Sequence, residues 1–365
     1  MAATAPETAE AVAIALRDGG PVRIRGGATK LGWGRPIDVA GELSTEPLDA
    51  ILEHNEGDLT AILQAGVPLA AAQERFAQAG QRLALDPPGP DATIGGVIAT
   101  GDSGPLRQRY GAPRDLVLGV QLALPDGSVA RAGSKVIKNV AGYDLAKLSA
   151  GAFGTLGVIC EVSVRLHPRP AEQLTAVLRS DDPEALVRAA GALAHLPLEP
   201  DALDLAWADG AGAVLARLAG PSGPSRARAA LAAVGELDGE VVEDDDALWA
   251  AQRDGQRGAC VVRVSATQRG LGAVLAAARE LGGRIVARAA LGLAWVGLEP
   301  DAEAVRRLRA ALAPAPCVLL DAPAEVRAAI DPWDGESAPL ELMRAVKARF
   351  DPRNVCNPGL FVGGI

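Results

Sequence analysis

Three glycine clusters in the first 160 residues constrain the fold most, because each one interrupts an apolar run. They are RIRGGATKLG (23–32), PDATIGGVIATGDSGP (90–105) and GYDLAKLSAGAFGTLGVI (142–159). A glycine in a packed element costs roughly 0.5–1 kcal/mol relative to alanine, so repeated glycines need a reason. Without a Cβ atom, backbone N–H groups can approach a bulky anion, and consecutive amides at a turn bind phosphate. The clusters therefore predict a site for a pyrophosphate, with plain turns as the alternative for any single cluster.

The spacing of these glycines excludes the two commonest nucleotide-binding motifs. No GxGxxG follows a predicted strand, and residues 151–157 have the spacing GxxGxxG. The P-loop pattern GxxxxGK followed by Ser or Thr does not occur. The glycines thus indicate neither a Rossmann fold nor a P-loop, and they do not identify the ligand.

Charge and hydropathy argue against a nucleic-acid-binding, membrane-spanning or secreted protein. A net charge of −9 argues against a general nucleic-acid or anionic-membrane surface. No apolar run approaches the ~18 residues that would suggest a membrane span, and the acidic N-terminus is unlike a signal peptide. We expect a helix at the N-terminus, with a capping box of Thr4 and Glu7 and an end at Gly19.

The four cysteines form no CxxC pair, which predicts buried free thiols rather than a metal site or disulfides.

The alternation of strand-like and helical runs predicts three parts. Residues 1–170 carry the glycine clusters, short alternating strands and a hairpin. Residues 171–330 contain two sets of strands and helices, which favours an α+β, ferredoxin-like domain, and EDDD at 243–246 is interpreted as a solvated loop. Residues 331–365 form a C-terminal segment that begins with a helix.

The first part resembles the FAD-binding domain of the vanillyl-alcohol oxidase superfamily, also called the p-cresol methylhydroxylase (PCMH) type. The three glycine clusters are similar to its three flavin loops, and FDPRNVCNPG (350–359) is similar to its closing element. Within the superfamily, IKNVAGYDLAKL (137–148) and the length are most similar to FAD-binding subunits of glycolate oxidases. The resemblance implies an α+β fold. Its parts are a two-subdomain PCMH-type FAD-binding domain, a central α+β (ferredoxin-like) cap domain and a C-terminal segment that packs back on the FAD domain.

The resemblance also implies which residues bind FAD. The first loop would meet the pyrophosphate through Arg25, Gly26, Gly27, Ala28, Thr29 and Lys30. The second would meet the pyrophosphate and ribityl chain through Thr93, Ile94, Gly95 and Gly96. It would then pass near the isoalloxazine ring through Gly101, Asp102, Ser103 and Gly104. The third would meet the adenine side and ring edge through backbone atoms of Gly154, Gly157, Val158 and Ile159, and Asn357 would close the site.

This assignment offers a reason for the glycines of the second cluster, which are expected to be small because FAD lies against their backbone. Many relatives attach the flavin through a His or Cys in the first loop, whereas this loop has neither, so FAD is expected to bind non-covalently. Two departures bear on the site. Residues 151–154 read GAFG where related catalytic chains read GSEG, and Leu360 stands where the family usually has a basic residue.

The sequence identifies no catalytic residue. His54, His167 and His195 share no local motif, so no metal site is predicted. Tyr143 and Asp144 are candidates for acid–base work, although helix capping by Asp144 and packing of Tyr143 are favoured. Lys135 and Lys138 are candidates for clamping the cofactor or an anionic substrate, and the alternative is that they extend along the surface into solvent.

Three functional interpretations remain open. In the first, the chain is a redox subunit that carries FAD and relays electrons from a small 2-hydroxy acid such as glycolate. The resemblance then implies two partners, a catalytic flavoprotein subunit and an iron–sulfur subunit, in a cytoplasmic complex peripheral to the inner membrane. In the second, it is a structural subunit with an inert pocket. A stand-alone oxidoreductase on the same fold is the third.

Overall fold

The computed structural model describes residues 2–134, 145–335 and 339–365, and the predictions for Lys135, Lys138, Tyr143 and Asp144 lie outside them. The chain begins with a three-stranded parallel sheet in the order β1-β3-β2. Its strands are β1 (Ala2–Thr4), β2 (Val22–Arg25) and β3 (Gly41–Ser44), and helix α1 (Ala9–Asp18) follows β1. Buried residues of α1 pack against this sheet and the second sheet, so one apolar cluster joins the two sheets.

The second sheet has five antiparallel strands in the order β4-β5-β9-β7-β8. They are β4 (Ile51–Asn55), β5 (Thr60–Gln64), β7 (Val117–Ala123), β8 (Val129–Gly133) and β9 (Val158–Arg165). A short pair, β6 (Gln81–Arg82) and β10 (His167–Pro168), lies beside it. The helices are α2 (Leu69–Ala77), α3 (Ile94–Thr100), α4 (Arg107–Tyr110), α5 (Pro113–Leu116) and α6 (Leu145–Ser149). Apolar residues of α2 and α3 form the core with β5, β7 and β9.

The cap is an eight-stranded sheet in the order β14-β11-β13-β12-β16-β17-β15-β18. Its first half contains β11 (Gln173–Ser180), α7 (Pro183–His195), β12 (Ala202–Ala208), β13 (Ala211–Ala219), α8 (Gly223–Ala233), β14 (Asp238–Val242) and then α9 (Asp246–Asp254). Its second half contains β15 (Val261–Ser265), a 3-10 turn (Gln268–Gly270), α10 (Leu271–Glu280), β16 (Arg284–Arg288), β17 (Leu293–Gly297), α11 (Ala302–Leu312) and β18 (Cys317–Asp321).

Each half of the cap has the order βαββαβ, and its four strands lie in the ferredoxin-like order fourth-first-third-second. The halves join edge to edge where β12 pairs with β16. The helices α7, α8, α10 and α11 cover one face and bury the largest apolar cluster. The opposite face turns toward the glycine loops, because Trp295 on β17 shares an apolar cluster with Trp33 and Phe153. The predicted ferredoxin-like cap is confirmed as two such units in one sheet.

The C-terminal segment returns to the first sheet. After α12 (Ala324–Ala329), helix α13 (Leu340–Phe350) leads into a stretch that bridges to β2 through Val22 and Cys356, and the chain ends in a 3-10 turn at Val362–Gly364. Lys347 fixes this return, since its buried Nζ lies 2.6 Å from Asp351 Oδ2 and donates to the Thr155 carbonyl at 2.7 Å. The limits 170 and 330 proposed for the three parts stay a prediction.

Three local expectations meet different outcomes. The first helix ends at Gly19 as predicted, but its cap is Thr8, whose Oγ1 accepts from the Ala11 amide, while Thr4 lies in β1. The capping box was therefore wrong, because residues 2–4 pair with β3 instead. The acidic run at 243–246 is not a solvated loop throughout, since Asp245 is buried against Arg217.

All four cysteines are buried and free, as predicted. Burial raises the pKa of the Cys160 thiol to about 12, which keeps it protonated near neutral pH. None of the helices within the described ranges is both long and apolar enough to cross a membrane.

Candidate functional site

A cavity lies where the three glycine loops meet. Its empty volume is about 810 Å³, part of it open to solvent. Most of the predicted FAD-binding residues line it: Arg25, Gly26, Gly27, Ala28, Thr29, Lys30, Thr93, Gly95, Gly96, Gly154, Gly157, Val158, Ile159 and Asn357. Ile94, Gly101, Asp102, Ser103 and Gly104 do not line it. The structure therefore brings together residues of all three clusters, while their role toward FAD stays a prediction.

The first loop offers backbone donors to this cavity. It leaves β2 at Gly26, and Ala28 takes a left-handed conformation with φ of 56°. No described residue accepts a hydrogen bond from the amides of residues 26–30. A Cβ on Gly26 would stand 2.2 Å from Thr93 Oγ1, so this glycine also lets the first loop pack against the second. Free amides beside a cavity, in a loop that only glycine can build, fit a diphosphate.

Two of the three charged side chains of this loop, Arg25 and Lys30, are already neutralised. Lys30 Nζ lies 3.1 Å from Asp102 Oδ2, and both side chains are buried. Arg25 pairs with Glu42 at 2.6 Å and with Glu46 at 2.8 Å. Arg25 and Lys30 would therefore offer little free positive charge to an anion in the cavity. Arg23 also lines the cavity, and its guanidinium donates to the Leu31 carbonyl at 2.5 Å.

The second loop contributes the start of α3, where Thr93 Oγ1 accepts from the Gly96 amide at 3.3 Å. The amides of Ile94 and Gly95 are bonded to the carbonyls of Val67 and Ala65 at 2.9 and 2.8 Å. They are not free for a ligand, so in this loop the exposed donor is the weakly bonded amide of Gly96.

The expected reason for the glycines of this loop fails for two of them and stays a prediction for the others. A Cβ on Gly95 would stand 2.6 Å from the Ala65 Cβ, and one on Gly104 would stand 1.8 Å from the Asp86 carbonyl oxygen. The protein itself fills these two spaces. A Cβ on Gly96 would meet only Thr93 Oγ1, at 3.1 Å, so Gly96 is the glycine whose open side faces the cavity.

The third loop is held in place by Asn357. The Asn357 side chain accepts from the Ile24 amide at 2.8 Å and donates to the Phe153 carbonyl at 2.8 Å. It is 3% exposed, and its own backbone has φ of 44°. Asn357 therefore ties β2, which leads into the first loop, to Phe153 in the third, and both its amide atoms are used within the protein.

The cap contacts the first two loops through polar bridges. Trp33 Nε1 donates to Asp321 Oδ1 at 2.9 Å, and Arg257 connects Asp321 to the Thr29 carbonyl. Gln256 Nε2 donates to the Ser103 carbonyl at 2.9 Å. The cap is thereby placed over the cavity by contacts to both loops.

Sequence reasoning missed several lining residues: Arg23, Ile24, Leu31, Trp33, Thr45, Ala99, Thr100, Phe153 and Leu360. Phe153 and Leu360 stood at the two positions where the sequence departs from the family pattern. Phe153 stacks with Trp333 and Phe361, at centroid distances of 5.1 and 5.4 Å. Thr45 follows β3 and carried no signal in the sequence.

No histidine within the described ranges lines the cavity. His54 bonds to Gln81 at 3.0 Å and stacks on Phe76, and His167 stacks on Tyr110. Burial and nearby Arg165 lower the pKa of His167 to about 4, so the imidazole is neutral at physiological pH. Across residues 2–134, 145–335 and 339–365, no group of three acidic, His or Cys residues is arranged to hold a metal ion.

Comparison with known proteins identifies the two ends of the chain. Residues 1–133 match the family described as FAD binding domain, and residues 332–360 match the one described as FAD linked oxidases, C-terminal domain. The glycolate oxidase subunit GlcE of Escherichia coli (strain K12) is 38% identical over 46% of this chain and 48% of its own length. A D-lactate dehydrogenase of Archaeoglobus fulgidus is 38% identical over 41% of this chain and 34% of its own length. The match thus spans less than half the length of either relative.

A solved structure of alkyldihydroxyacetonephosphate synthase has a similar fold, with a TM-score of 0.74 at 15% identity over 98% of this chain and 75% of that one. A chitooligosaccharide oxidase has a TM-score of 0.67 at 14% identity over 97% of this chain and 89% of that one. These likenesses extend across the cap, and at such low identity they concern the fold alone. The chain thus has a region that matches the FAD binding domain at one end and a region that matches the C-terminal domain of FAD linked oxidases at the other.

Proposed function

We propose that this chain is the FAD-binding redox subunit of a complex that oxidises glycolate or a closely related 2-hydroxy acid. The observation that carries the proposal is the set of amides at residues 26–30, which have no described acceptor and belong to residues that line a cavity shared by all three glycine loops. The similarity to a glycolate oxidase subunit and to a D-lactate dehydrogenase supports the substrate class.

The residues present fit FAD through their backbone atoms. The amides of residues 26–30 would hold the diphosphate, and the open side of Gly96 would allow close approach of the ribityl chain. Bound FAD would supply the two-electron acceptor for oxidation of a 2-hydroxy acid to a 2-keto acid. Since no cysteine lies in these loops and no described histidine lines the cavity, the chain would hold FAD without a covalent bond.

The partners remain part of the proposal. A catalytic flavoprotein subunit would supply the acid–base groups that the described part of this cavity lacks, and an iron–sulfur subunit would take up the electrons. A structural subunit with an inert pocket is the competing function. It is favoured by one observation, the absence of a described histidine from the cavity wall.

The first experiment is a visible absorption spectrum of the purified chain, followed by anaerobic addition of glycolate or D-lactate. We expect a yellow protein that loses its flavin absorbance only when the partner subunits are present. Loss of absorbance in the isolated chain would indicate independent catalysis. A colourless chain that cannot be reconstituted with FAD would contradict the proposal and support the structural role.

A matched pair of variants tests the site itself. Gly96→Val places a side chain at the open side that we assign to FAD, whereas Gly191→Val changes a helical glycine of the cap with no heavy atom within 4 Å of an added Cβ. We expect Gly96→Val to abolish FAD retention in a folded protein and Gly191→Val to keep it. A full flavin spectrum in Gly96→Val would show that FAD does not lie at this position.

A further inference from the structure

Arg263 is a charged residue in the middle of an otherwise apolar strand. It lies in β15 between Val262 and Val264, which are buried in the helix-covered core of the cap. Because side chains alternate along a strand, Arg263 lies on the other face of the sheet. Its cross-strand neighbours are Trp295 and Val318, which share a cluster with the cavity-lining residues Trp33 and Phe153. Arg263 thus lies on the face of the cap that turns toward the cavity.

The charge of Arg263 has no counterion among the described residues. Its Nε is buried without a hydrogen-bond partner, and no described carboxylate lies within 4.0 Å of the guanidinium. The acid that acts on it electrostatically is Asp102, which is already paired with Lys30 at 3.1 Å. Burial, and next the charge of Arg107, lower the pKa of Arg263.

Arg107 adds to this excess of positive charge. Its guanidinium donates to Ser103 Oγ at 3.3 Å, and burial lowers its pKa as well. Two cations and one neutralised Lys–Asp pair therefore meet where the cap covers the second loop. Asp115 acts electrostatically on Arg107, whereas the acid that acts on Arg263, Asp102, is already paired with Lys30.

A second arginine on the same sheet face, Arg288, has an acidic partner within the cap. Arg288, on β16, pairs with Asp204 at 2.7 Å with both side chains fully buried, and it also donates to the Gln256 side chain. Its guanidinium lies 4.7 Å from the Trp295 ring. Arg263 lies on the other side of the same tryptophan without an acid. The contrast indicates that the partner of Arg263 comes from outside the chain.

We propose that Arg263, with Arg107 beside it, binds the carboxylate of a small hydroxy acid at the junction of the cap and the second loop. This inference rests on the proposed function for the choice of substrate class. A guanidinium binds a carboxylate through two parallel N–H···O bonds, and the half-buried Arg263, which has no acidic partner, retains that capacity. The junction reaches the cavity through two lining residues, Trp33, which shares an apolar cluster with Trp295, and Lys30, which pairs with Asp102. The carboxylate would therefore be fixed near the ligand held by the glycine loops.

Binding can be measured without turnover. The full chain loaded with FAD is titrated with oxalate under anaerobic conditions, and the fluorescence of the tryptophans, Trp295 among them, is recorded. Ethylene glycol, which has no carboxylate, serves as the neutral probe. We expect oxalate to bind and ethylene glycol not to. Arg263→Gln should weaken oxalate binding at least tenfold, Arg263→Lys should recover part of it, and the surface variant Arg279→Gln should match the wild type. Equal oxalate binding by Arg263→Gln would overturn the proposal.

A stability measurement separates a binding role from a structural one. Arg263→Met removes a charge without a partner and should leave the melting temperature unchanged or raise it, while oxalate no longer stabilises the protein. Arg288→Met leaves Asp204 buried and unpaired and should lower it. If Arg263→Met destabilises the chain as much as Arg288→Met does, the role is structural and the proposal is wrong.

Failure of this proposal differs from failure of the proposed function. A yellow wild-type chain that binds no oxalate would contradict the proposed carboxylate site and leave the proposed flavin site supported. A chain that takes up no FAD but binds oxalate through Arg263 would contradict the proposed redox function and support the carboxylate site.

Discussion

Two surfaces meet at the cavity, the loop wall that lines it and the cap wall that packs against the loops, and they are built from different chemistry. The loop wall presents backbone amides, and its charged side chains Lys30 and Arg25 are neutralised by acids of the same domain. The cap wall, none of whose residues lines the cavity directly, presents side chains to the loops, namely the rings of Trp295 and its neighbours and the arginines on β15 and β16. Binding of a ligand group by peptide amides depends on the path of the backbone. Binding by side chains can be altered by a single substitution. We infer that the loop wall is specialised for a constant cofactor and the cap wall for a substrate.

The largest expected effect comes from replacing either of two buried tryptophans of the cap. Trp295 lies in strand β17 of the cap sheet, and Trp249 lies in helix α9. Trp249 packs on the first half and donates to Thr175 Oγ1 at 2.8 Å, whereas Trp295 lies on the cavity side of the second half. Replacing either by alanine should lower the free energy of unfolding by about 3–5 kcal/mol. Urea denaturation measures this loss. Only Trp295→Ala should also weaken oxalate binding, and an equal effect of Trp249→Ala would remove the distinction between the two halves.

The next effect concerns the loop wall. Asn357→Gly removes the side chain that ties Ile24 to Phe153 without straining a backbone of positive φ. It leaves a buried donor and acceptor unpaired, so we expect a loss of about 2–3 kcal/mol in unfolding free energy. FAD affinity, measured by fluorescence titration of the apoprotein, should fall about tenfold, which corresponds to about 1.4 kcal/mol.

The control is Asn354→Gly, because Asn354 has a similar φ of 53° and an exposed side chain. It should change neither quantity. If Asn357→Gly binds FAD as tightly as Asn354→Gly does, the tie between β2 and the third loop does not shape the cofactor site.

The smallest effect is a pH dependence at the junction of the walls. Burial raises the pKa of Asp86 to about 6, although Arg288 opposes this shift. The folded chain therefore keeps this proton where the unfolded chain, with a pKa of about 3.9, has released it. The resulting stabilisation is complete below about pH 4 and is lost as the pH rises through about 6.

This loss should amount to about 2 kcal/mol. Asp86→Asn mimics the protonated form, so its stability advantage over the wild type should grow between pH 4 and pH 7.5. Guanidinium denaturation at several pH values measures the difference. A difference that is constant with pH would show that the Asp86 carboxyl does not have a raised pKa.

The sequence predicted the positions of the cavity loops better than the reasons for their glycines. The clusters identified the loops because glycine in an apolar run is unusual. The spacing of strands and helices predicted one ferredoxin-like domain, and the structure contains two such units in its place. The neighbours that Gly95 and Gly104 require, Ala65 and Asp86, are set by tertiary packing and leave no local signal. The same is true of the pairing between Lys30 and Asp102, which are distant along the chain.

The sequence contains one further indication of a functional residue, which lies outside the glycine clusters. In VVRVS (261–265) a charged residue occupies the centre of a strand whose neighbours are apolar. An arginine at such a position needs a partner. Only the structure shows that Arg288 has one and Arg263 has none among the described residues.

A crystal structure of the chain grown with FAD tests most directly whether backbone amides hold the cofactor. We expect diphosphate oxygens at hydrogen-bonding distance, about 2.7–3.2 Å, from amides of residues 26–30. We also expect the pair between Lys30 and Asp102 to stay intact. A diphosphate held by lysine or arginine side chains, or bound away from the first glycine loop, would contradict this assignment.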